Sequence, residues 1–527
     1  MSTLTVKNYI YITSACIGTY LFYTIFEYIY TSGQMGVPLD DTWIHFQFAD
    51  NFSKGNFFQF NAGEYTAGTT SPFYVIVLGL FSFITGNFIF NSIFLSAIFH
   101  FLSCIFIYKI SLIIFGNKNS PLSELISAIL TPQFVSLIIA LLTVLNGRFA
   151  WSSLSGMETT MFTFFTILSV YFHIENLRLN KFNLLPALFL ALSTVSRPEG
   201  FLLFGLYLFD VILNLILQKE LKQNFIKLVL SVLIFLIITL PYLIFSYKIS
   251  GHFFPNTFRG QGGEFHLIPN FEYILISITY FLKDNLITGI LYIVSVLYYF
   301  KNIKKYYSEF KYLNLIFLWI ILLPLISSVL IPNWRHHVRY LIPLIPFINL
   351  ISVYVFFNLL DLNFFSKLKA FLLRRKSAFA FILIFSIFNY VVFGISLGMN
   401  TDNINDQQVK LAGWVYENVG RNEVIAVNDI GAIGFINKNR IIDVAGLITP
   451  EILRFRTYSK DDNLDSVNYL LKKNNVSYII IYDEWFRDYL EKYGNELIFQ
   501  TSSVLENNTI CGGNEMKIYK TNFNSIK

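Results

Sequence analysis

Long apolar runs separated by short polar segments fill most of the chain up to about residue 400. A helix needs about 20 apolar residues to cross a hydrocarbon core of about 30 Å. The short stretch 72–85 ends at Gly86-Asn87, which predicts a re-entrant or interfacial helix. The longer runs predict a polytopic α-helical membrane protein with about eleven transmembrane helices, at 8–30, 91–113, 124–145, 158–176, 183–196, 200–217, 225–247, 280–300, 312–331, 340–360 and 377–398.

The basic residues of the loops predict the orientation of these spans. The first span lacks a small-residue cleavage site, so it is predicted to stay uncleaved. The positive-inside rule makes the side with most Lys and Arg cytoplasmic. An odd number of spans then places the N-terminus in the cytoplasm and the C-terminus outside. The cytoplasmic clusters are Lys109/Lys118, Arg178/Lys181, Lys219/Lys222/Lys227, Lys301/Lys304/Lys305/Lys311 and Lys367/Lys369/Arg374/Arg375/Lys376.

Two long polar loops, 31–71 and 248–279, are predicted to lie on the external side. Loops of this length are usually functional or contain helices of their own. In the first loop, Trp43, Phe46, Ala49 and Phe52 recur at helical spacing. This spacing predicts a helix along the membrane surface.

The chain changes character after Gly398, where polar residues become frequent. Short β-rich runs then alternate with helical ones, which predicts a small α/β domain. The predicted domains are therefore a transmembrane module at 1–400 and a soluble extracytoplasmic α/β domain at 401–527. The domain's predicted helices are 405–419 and 463–474, and its predicted strands are 424–427, 440–444 and 476–481.

The composition excludes an ordinary soluble protein, because 54% of the residues are hydrophobic and 14% are charged. Soluble domains carry about 25% charged residues. The formal charge of +6 is accounted for by the cytoplasmic loops, so no nucleic-acid partner is expected. Three cysteines give no disulfide framework, since Cys16 and Cys104 lie inside predicted spans and Cys511 has no external partner.

The pair Asp40-Asp41 lies about ten residues after the first span, on the external side. Adjacent carboxylates repel, so one can hold a raised pKa and act as a general base, or both can bind a cation. A solvated loop is the alternative for an isolated pair of this kind.

Two further groups of charged residues lie on the same predicted side. Arg197 and Glu199 interrupt the apolar stretch 183–217, which indicates either an internal ion pair or phosphate recognition by the guanidinium. The cluster Arg335-His336-His337-Arg339 is basic although it is external, which indicates an anionic partner or a rim that binds lipid headgroups. Adjacent histidines alone do not predict a metal site.

Motifs along nearly the whole chain occur in the order seen in one superfamily. They are Pro38-Leu39-Asp40-Asp41, Phe60-Asn61-Ala62-Gly63-Glu64, Thr70-Ser71-Pro72, Ser155-Gly156-Met157-Glu158-Thr159, Arg197-Pro198-Glu199-Gly200, Pro255-Asn256-Thr257, Arg339-Tyr340-Leu341-Ile342-Pro343, Asn428–Gly434 and Asp443–Leu447. This set resembles the GT-C superfamily of integral-membrane glycosyltransferases. It is most similar to the bacterial branch that contains terminal arabinofuranosyltransferases.

The resemblance implies a GT-C-like catalytic module and an inverting hexosyl- or pentosyltransferase. The donor would be a polyprenyl-phosphate sugar, and the acceptor a cell-envelope glycan, a glycolipid or a protein. The implied location is the bacterial inner (cell) membrane. No cofactor is certain, although some relatives use a divalent cation such as Mg or Mn.

The resemblance also implies roles for individual residues. Asp40 would be the general base, and Asp41 would position the acceptor or a cation. The donor phosphate would be bound by Arg197, Arg339, Arg335 and His336. Acceptor contacts or support would come from Glu158, Glu199, Asn256 and Asp429.

Two other classes of protein remain as alternatives. A transporter or flippase for lipid-linked sugars commonly shows internal repeats and polar residues at the bilayer midplane. The sequence shows no repeat, and its polar residues cluster near one surface. A non-catalytic membrane sensor would not need an external acid pair and a basic cluster in its transmembrane part.

Overall fold

The computed structural model describes residues 3–117, 130–255, 268–304, 311–330, 332–452 and 460–523. Several helices of the membrane part begin at residues whose side chains cap them. Asn87, Thr131, Asn270 and Asn285, for example, accept hydrogen bonds from the first turns of the helices that follow them. Such caps satisfy backbone N–H groups that no intrahelical carbonyl can reach.

The helices of the membrane part, in chain order, are α1 (Thr3–Tyr30), α2 (Asp40–Ser53), α3 (Pro72–Thr85), α4 (Phe88–Phe115), α5 (Pro132–Val144), α6 (Gly147–Ser153), α7 (Thr159–Leu179), α8 (Leu185–Ser196), α9 (Gly200–Leu217), α10 (Leu221–Ser250), α11 (Phe271–Asp284), α12 (Leu286–Lys301), α13 (Asn314–Leu330), α14 (Ile345–Leu360), α15 (Ser366–Arg374) and α16 (Ile384–Ile404). A short 3₁₀ segment, Arg339–Leu344, leads into α14. α16 continues as a π-helical turn over Asn405–Val409 and then as α17 (Lys410–Asn418).

Six helices of the described segments are long and apolar enough to cross a membrane, and a bent pair makes a possible seventh. The bent pair is α5 and α6, which meet at 66°. Shorter apolar helices, α3, α8, α12 and α13, accompany them. The predicted helical membrane architecture is therefore confirmed, whereas the count of eleven spans stays a prediction.

The helix predicted within residues 31–71 is confirmed as α2, whereas its position along the external membrane surface stays a prediction. Its apolar side packs on α3 and on a helix of the C-terminal domain, α18 (Gly431–Asn437). Trp43 and Phe46 of α2 each lie 5.7 Å from the Phe435 ring of α18. The helix thus connects the membrane part to the C-terminal domain through a shared aromatic core.

The C-terminal part is a small α/β domain with a five-stranded sheet in the order β2-β1-β3-β5-β4. β1 pairs in parallel with β2 and β3, whereas β5 is antiparallel to β3 and β4. The strands are β1 (Val424–Val427), β2 (Arg440–Asp443), β3 (Val476–Ile481), β4 (Leu497–Val504) and β5 (Glu515–Thr521), accompanied by α19 (Lys460–Lys473) and α20 (Arg487–Tyr493). The predicted strands and helices are confirmed, but β4 and β5 were not predicted.

The change in composition after Gly398 does not end a helix. One helical stretch, Ala378–Asn418, runs from the membrane part into the domain. Polar side chains near its middle, including those of Asn400, Gln407 and Gln408, are buried against the C-terminal domain. The increase in polarity therefore marks a helix that leaves an apolar environment and enters a polar interface.

Candidate active site

Asp40 and Asp41 begin helix α2 at the junction between the membrane part and the C-terminal domain. Leu39 before them is extended, so the chain enters the helix at the acid pair. Carboxylates in the first turn interact favourably with the helix dipole. Both side chains are only partly buried, which leaves them accessible to the cavities described below.

Asp40 is held by the backbone of the C-terminal domain. Its two carboxylate oxygens accept hydrogen bonds from the N–H groups of Gly431 and Ala432, both at 2.8 Å. Desolvation, together with the nearby carboxylate of Asp429, raises the pKa of Asp40 to about 8, against the effect of these two hydrogen bonds. A carboxylate with a pKa near the working pH is suited to accept a proton from a hydroxyl.

Asp41 has the opposite electrostatic environment. Arg339 donates a hydrogen bond from Nη2 to Oδ2 of Asp41 at 2.6 Å. Desolvation opposes the ionisation of Asp41, but the charge and hydrogen bond of Arg339, together with His336 and His45, outweigh it and hold the pKa of that carboxyl below its usual value. Asp41 is therefore a fixed negative charge that orients Arg339.

The second guanidinium nitrogen of Arg339, Nη1, is buried and has no hydrogen-bond partner among the described residues. A buried donor without an acceptor costs free energy, more so when it is charged. The guanidinium fork fits the oxygens of a phosphate or a carboxylate. Arg339 is therefore ready to bind an anionic group from a ligand.

A left-handed backbone turn places Arg339. His336, His337 and Val338 have φ values of 53°, 64° and 54°, which non-glycine residues adopt only where the surroundings enforce them. The His337 ring lies 5.0 Å from Trp151. Its carbonyl accepts a hydrogen bond from Nη1 of Arg148 at 3.2 Å. These contacts fix the turn and hence the direction of the Arg339 side chain.

Arg197 is held in a buried network of carboxylates. Its Nη1 donates to Oε1 of Glu158 at 3.0 Å, and its Nη2 donates to Oε1 of Glu199 at 2.7 Å. Oε2 of Glu158 is 3.1 Å from Nε2 of His45. Of the two interpretations of Arg197, the internal ion pair is therefore present. Its direct contact with a phosphate stays a prediction, because two carboxylates already occupy the guanidinium.

Two cavities meet at Asp41 and Arg339. The first has a volume of about 200 Å³, and α9 and α13 supply much of its apolar wall. The second has a volume of about 540 Å³ and lies beneath the C-terminal domain. Both are lined by Asp41, Ile44, Arg339 and Leu447. Glu158, Arg197 and Glu199 line the first cavity only, whereas Asp40, Arg335, His336, Asp429 and Trp485 line the second only.

Two of the remaining predicted site residues, Asp429 and Arg335, line the second cavity. The carboxylate of Asp429 accepts hydrogen bonds from Gln408 and Tyr482, and desolvation raises its pKa. The exposed Arg335 lies 5.5 Å from the Trp485 ring at the second cavity. Asn256 lies outside the described residues.

The acid residues of the site do not form a ready divalent-cation site. Each oxygen of Asp40 accepts a backbone hydrogen bond, and Asp41 is paired with Arg339. Among the described residues, the three aspartates Asp40, Asp41 and Asp429 do not bring three ligand oxygens close together. No step proposed below is routed through a metal ion.

Several supporting residues were not identified from the sequence as members of the site. His45 contacts Glu158, and Arg148 supports the left-handed turn. Arg148 in turn pairs with Asp284 at 2.5 Å, with both side chains buried. An isolated Arg148 and the Lys283-Asp284 pair at the ends of apolar segments were the available signal, because charges are rare there.

Comparisons with solved structures show the fold. ArnT from Cupriavidus metallidurans bound to undecaprenyl phosphate aligns at 10% identity with a TM-score of 0.60, over 96% of this chain and 97% of ArnT. The apo oligosaccharyltransferase of Archaeoglobus fulgidus aligns at 12% identity with a TM-score of 0.55, over 96% of this chain and 74% of that chain. AglB from the same organism, in complex with an inhibitory peptide and a dolichol-phosphate, aligns at 12% identity with a TM-score of 0.56, over 89% and 69% of the two chains.

Sequence comparisons are less informative. The family described as "Domain of unknown function (DUF8728)" matches residues 402–519. No curated protein matches the chain. The architecture and the solved structures together nevertheless settle the fold: the chain is an integral membrane protein with a GT-C fold and a small C-terminal sheet domain.

Proposed function

We propose that this chain is an inverting glycosyltransferase that moves a sugar from a polyprenyl-phosphate donor to an extracytoplasmic acceptor. The observation that carries the proposal is the buried, unpartnered Nη1 of Arg339 at the meeting point of two cavities. One cavity has an apolar wall and the other is bordered by carboxylates and amides. This arrangement suits a lipid phosphate on one side and a hydroxyl-bearing acceptor on the other.

The first cavity is proposed to receive the donor. Its wall of Phe201, Leu202, Leu323, Ile326 and Leu330 suits the first isoprenoid units of a lipid chain. The phosphate would accept hydrogen bonds from Arg339, and Arg335 and His336 would approach it from the second cavity. The undecaprenyl phosphate of ArnT and the dolichol-phosphate of AglB support a donor of this class.

Asp40 is proposed as the general base for an acceptor in the second cavity. The acceptor hydroxyl attacks the anomeric carbon from the face opposite the phosphate. Its proton passes to Asp40, the bond between the anomeric carbon and the phosphate oxygen breaks, and the configuration inverts. The negative charge that grows on the phosphate is stabilised by Arg339, a fixed cation of the kind that lowers such barriers.

The supporting residues would act through these groups. Asp41 holds the Arg339 side chain, and the network of Glu158, Arg197 and Glu199 forms a rigid wall of the first cavity. Asp429 raises the pKa of Asp40 and lines the second cavity. A role for Asn256 in acceptor binding remains part of the prediction from sequence.

The orientation in the membrane, the branch of the superfamily and the classes of sugar and acceptor are proposed from the sequence. The basic loops support a cytoplasmic N-terminus and an external C-terminal domain, and the motif resemblance supports a bacterial inner membrane. The motif resemblance supports the branch that contains terminal arabinofuranosyltransferases. The transferred sugar is thus a pentose or a hexose, and the acceptor is a cell-envelope glycan, a glycolipid or a protein.

The test is a transfer assay with the purified full-length protein in lipid nanodiscs. Radiolabelled polyprenyl-phosphate pentoses and hexoses serve as donors, and a membrane extract serves as the acceptor. We expect transfer by the wild type, loss of transfer in Asp40→Asn, and normal transfer in Asp361→Asn, which removes an exposed carboxylate paired with Lys369. Transfer that is equal in all three proteins would exclude Asp40 as the base.

The same preparation tests the transporter alternative. Sealed vesicles with a labelled lipid-linked sugar in one leaflet would report its movement to the other leaflet. Movement without any transfer product, from every donor, would overturn the proposed enzyme and favour a flippase. Binding without movement or transfer would favour a sensor.

A further inference from the structure

Two thiols and an imidazole meet inside the helical bundle, away from the candidate active site. Cys16 lies near the middle of α1, and His100 and Cys104 lie near the middle of α4. One ligand atom from each of the three side chains lies within 4.8 Å of the other two. All three side chains are buried, with exposed fractions of 1%, 0% and 0%.

The sequence spacing explains how α4 supplies two of these groups. His100 and Cys104 are four residues apart, which places them on the same face of a helix. α1 packs against that face and presents Cys16 to it. Cys16 precedes the end of α1 at Tyr30 by fourteen residues, about 21 Å at 1.5 Å per residue. The cluster is thus well separated along the helix from the Asp40-Asp41 pair that follows α1.

The hydrogen bonds of His100 leave it able to bind a further group. The Tyr20 hydroxyl donates to the carbonyl of Ala97 at 2.8 Å and lies 3.0 Å from Nδ1 of His100. Because the hydroxyl has a single proton, Nδ1 of His100 must carry the proton of their shared contact. Nε2 then has a free lone pair, and it is buried with no hydrogen-bond partner in the part of the chain that the structure describes.

A buried imidazole in an apolar bundle costs desolvation free energy unless its polar atoms are paired. Buried thiols alone need no such explanation, since free cysteine behaves as a small apolar residue. The histidine is therefore the residue that points to a ligand. Two sulfurs and an imidazole nitrogen are a donor set for a thiophilic metal ion.

We propose that Cys16, His100 and Cys104 supply the three protein ligands of a Zn²⁺ site that joins α1 to α4, with a water molecule in the fourth tetrahedral position. On binding, the two thiol protons leave to water, and both sulfurs coordinate the ion as thiolates. Two thiolates and Zn²⁺ sum to zero charge, which suits an apolar interior better than a site with a net charge. Zn–S distances of about 2.3 Å and Zn–N distances of about 2.0 Å require the ligand atoms to approach to about 3.5–3.8 Å. Side-chain rotation supplies this contraction.

The metal content of the full-length protein tests the site. The protein is expressed in zinc-supplemented medium, purified in detergent and desalted, and its zinc is measured by mass spectrometry. We expect about one zinc per chain in the wild type and at least a tenfold decrease in Cys16→Ser/Cys104→Ser. Cys511→Ser is the matched control, because this third cysteine lies in the C-terminal domain and contacts Gln408, and it should keep the zinc of the wild type.

Two further measurements test the metal site independently of the zinc content. Protein grown with Co²⁺ should show a thiolate-to-cobalt charge-transfer band that the double variant lacks. A membrane-permeant chelator should lower the Tm of the wild type and leave the Tm of the double variant unchanged. A well-folded wild type without zinc overturns the proposal whether or not the variant folds. A Cys16–Cys104 disulfide in metal-free protein, or equal zinc in the double variant, overturns it as well.

Discussion

Asp40 and Asp41 are neighbours in the sequence with opposite roles in the proposed reaction. Asp40 lies beside Asp429 and under the C-terminal domain, whereas Asp41 is paired with Arg339. The sequence alone identified the pair but could not assign the surroundings of each member. Those surroundings come from residues almost 300 and almost 390 positions away, which no local pattern links to residue 40.

The first prediction concerns the pH dependence of the reaction. A general base acts only when deprotonated, so a pKa of about 8 for Asp40 means that kcat should rise as the pH rises through about 8. Asp40→Asn should lower kcat by about 10²–10⁴ and abolish this rise. The measurement is kcat as a function of pH at saturating donor and acceptor.

Asp429→Asn provides the internal control for that profile. Removing a neighbouring negative charge should lower the pKa of Asp40, so the rise in kcat should move to lower pH. A profile that does not move would argue against Asp40 as the titrating group.

The second prediction concerns the unpartnered nitrogen of Arg339. Arg339→Gln should weaken the binding of polyprenyl phosphate by about 10- to 150-fold, the equivalent of one charged hydrogen bond of about 1.5–3 kcal/mol. Arg339→Lys should fall between the variant and the wild type, because it keeps the charge and loses the fork. Calorimetric titration in detergent measures the affinity. Arg178→Gln, which breaks an exposed pair with Glu175, should bind like the wild type.

At the scale of secondary-structure elements, the sequence predicted those helices and strands whose own residues show a helical or strand periodicity. α2, the first three strands and the apolar helices each carry a periodicity of their own. β4 was missed because its apolar residues Leu497, Ile498 and Phe499 stand side by side instead of alternating with polar ones. β5 was missed because most of its residues are polar. The exit of the last helix from the membrane resembled a domain boundary because polar residues at a buried interface look like a loop in the sequence.

The third prediction concerns the ion pair that joins α6 to α11. Arg148 and Asp284 are both buried and are also linked to Asn389 and to the carbonyl of His337. Asp284→Asn would leave the guanidinium without a counter-charge, which should cost about 3–5 kcal/mol of stability. The measurement is the Tm in detergent, compared with that of Glu175→Gln, where an exposed pair should contribute less than about 1 kcal/mol.

Asp284→Asn should also change donor binding, because the ion pair supports the left-handed turn that places Arg339. Because Arg148 supports the carbonyl of His337, Asp284→Asn should displace Arg339 and lower donor affinity in the molecules that remain folded. A lower Tm with unchanged donor affinity would show that the ion pair stabilises the bundle without positioning Arg339.

At the scale of the whole molecule, the C-terminal domain closes the site instead of lying beside it. Contacts from three places hold it on the segment between α1 and α3: Gly431 on Asp40, Lys438 on Asp50 and Arg440 on Glu64. The second cavity exists only because both parts line it. We therefore expect that sugar transfer depends on how this domain is docked, while donor binding depends mainly on the membrane part.

Gly431→Ala tests this dependence, because it changes the docking surface without removing a charged group. A Cβ at Gly431 would lie 2.7 Å from both carboxylate oxygens of Asp40, closer than real contacts allow, so α18 must move away from α2. A misplacement of about 1 Å can cost about 10²-fold in rate, and we expect a loss of this size in transfer, with a much smaller change in affinity for polyprenyl phosphate. Gly413→Ala, at a site in α17 with open space around it, should behave like the wild type. Equal losses of transfer and donor binding in Gly431→Ala would mean that the domain organises both cavities, and that the division between donor and acceptor sides is wrong.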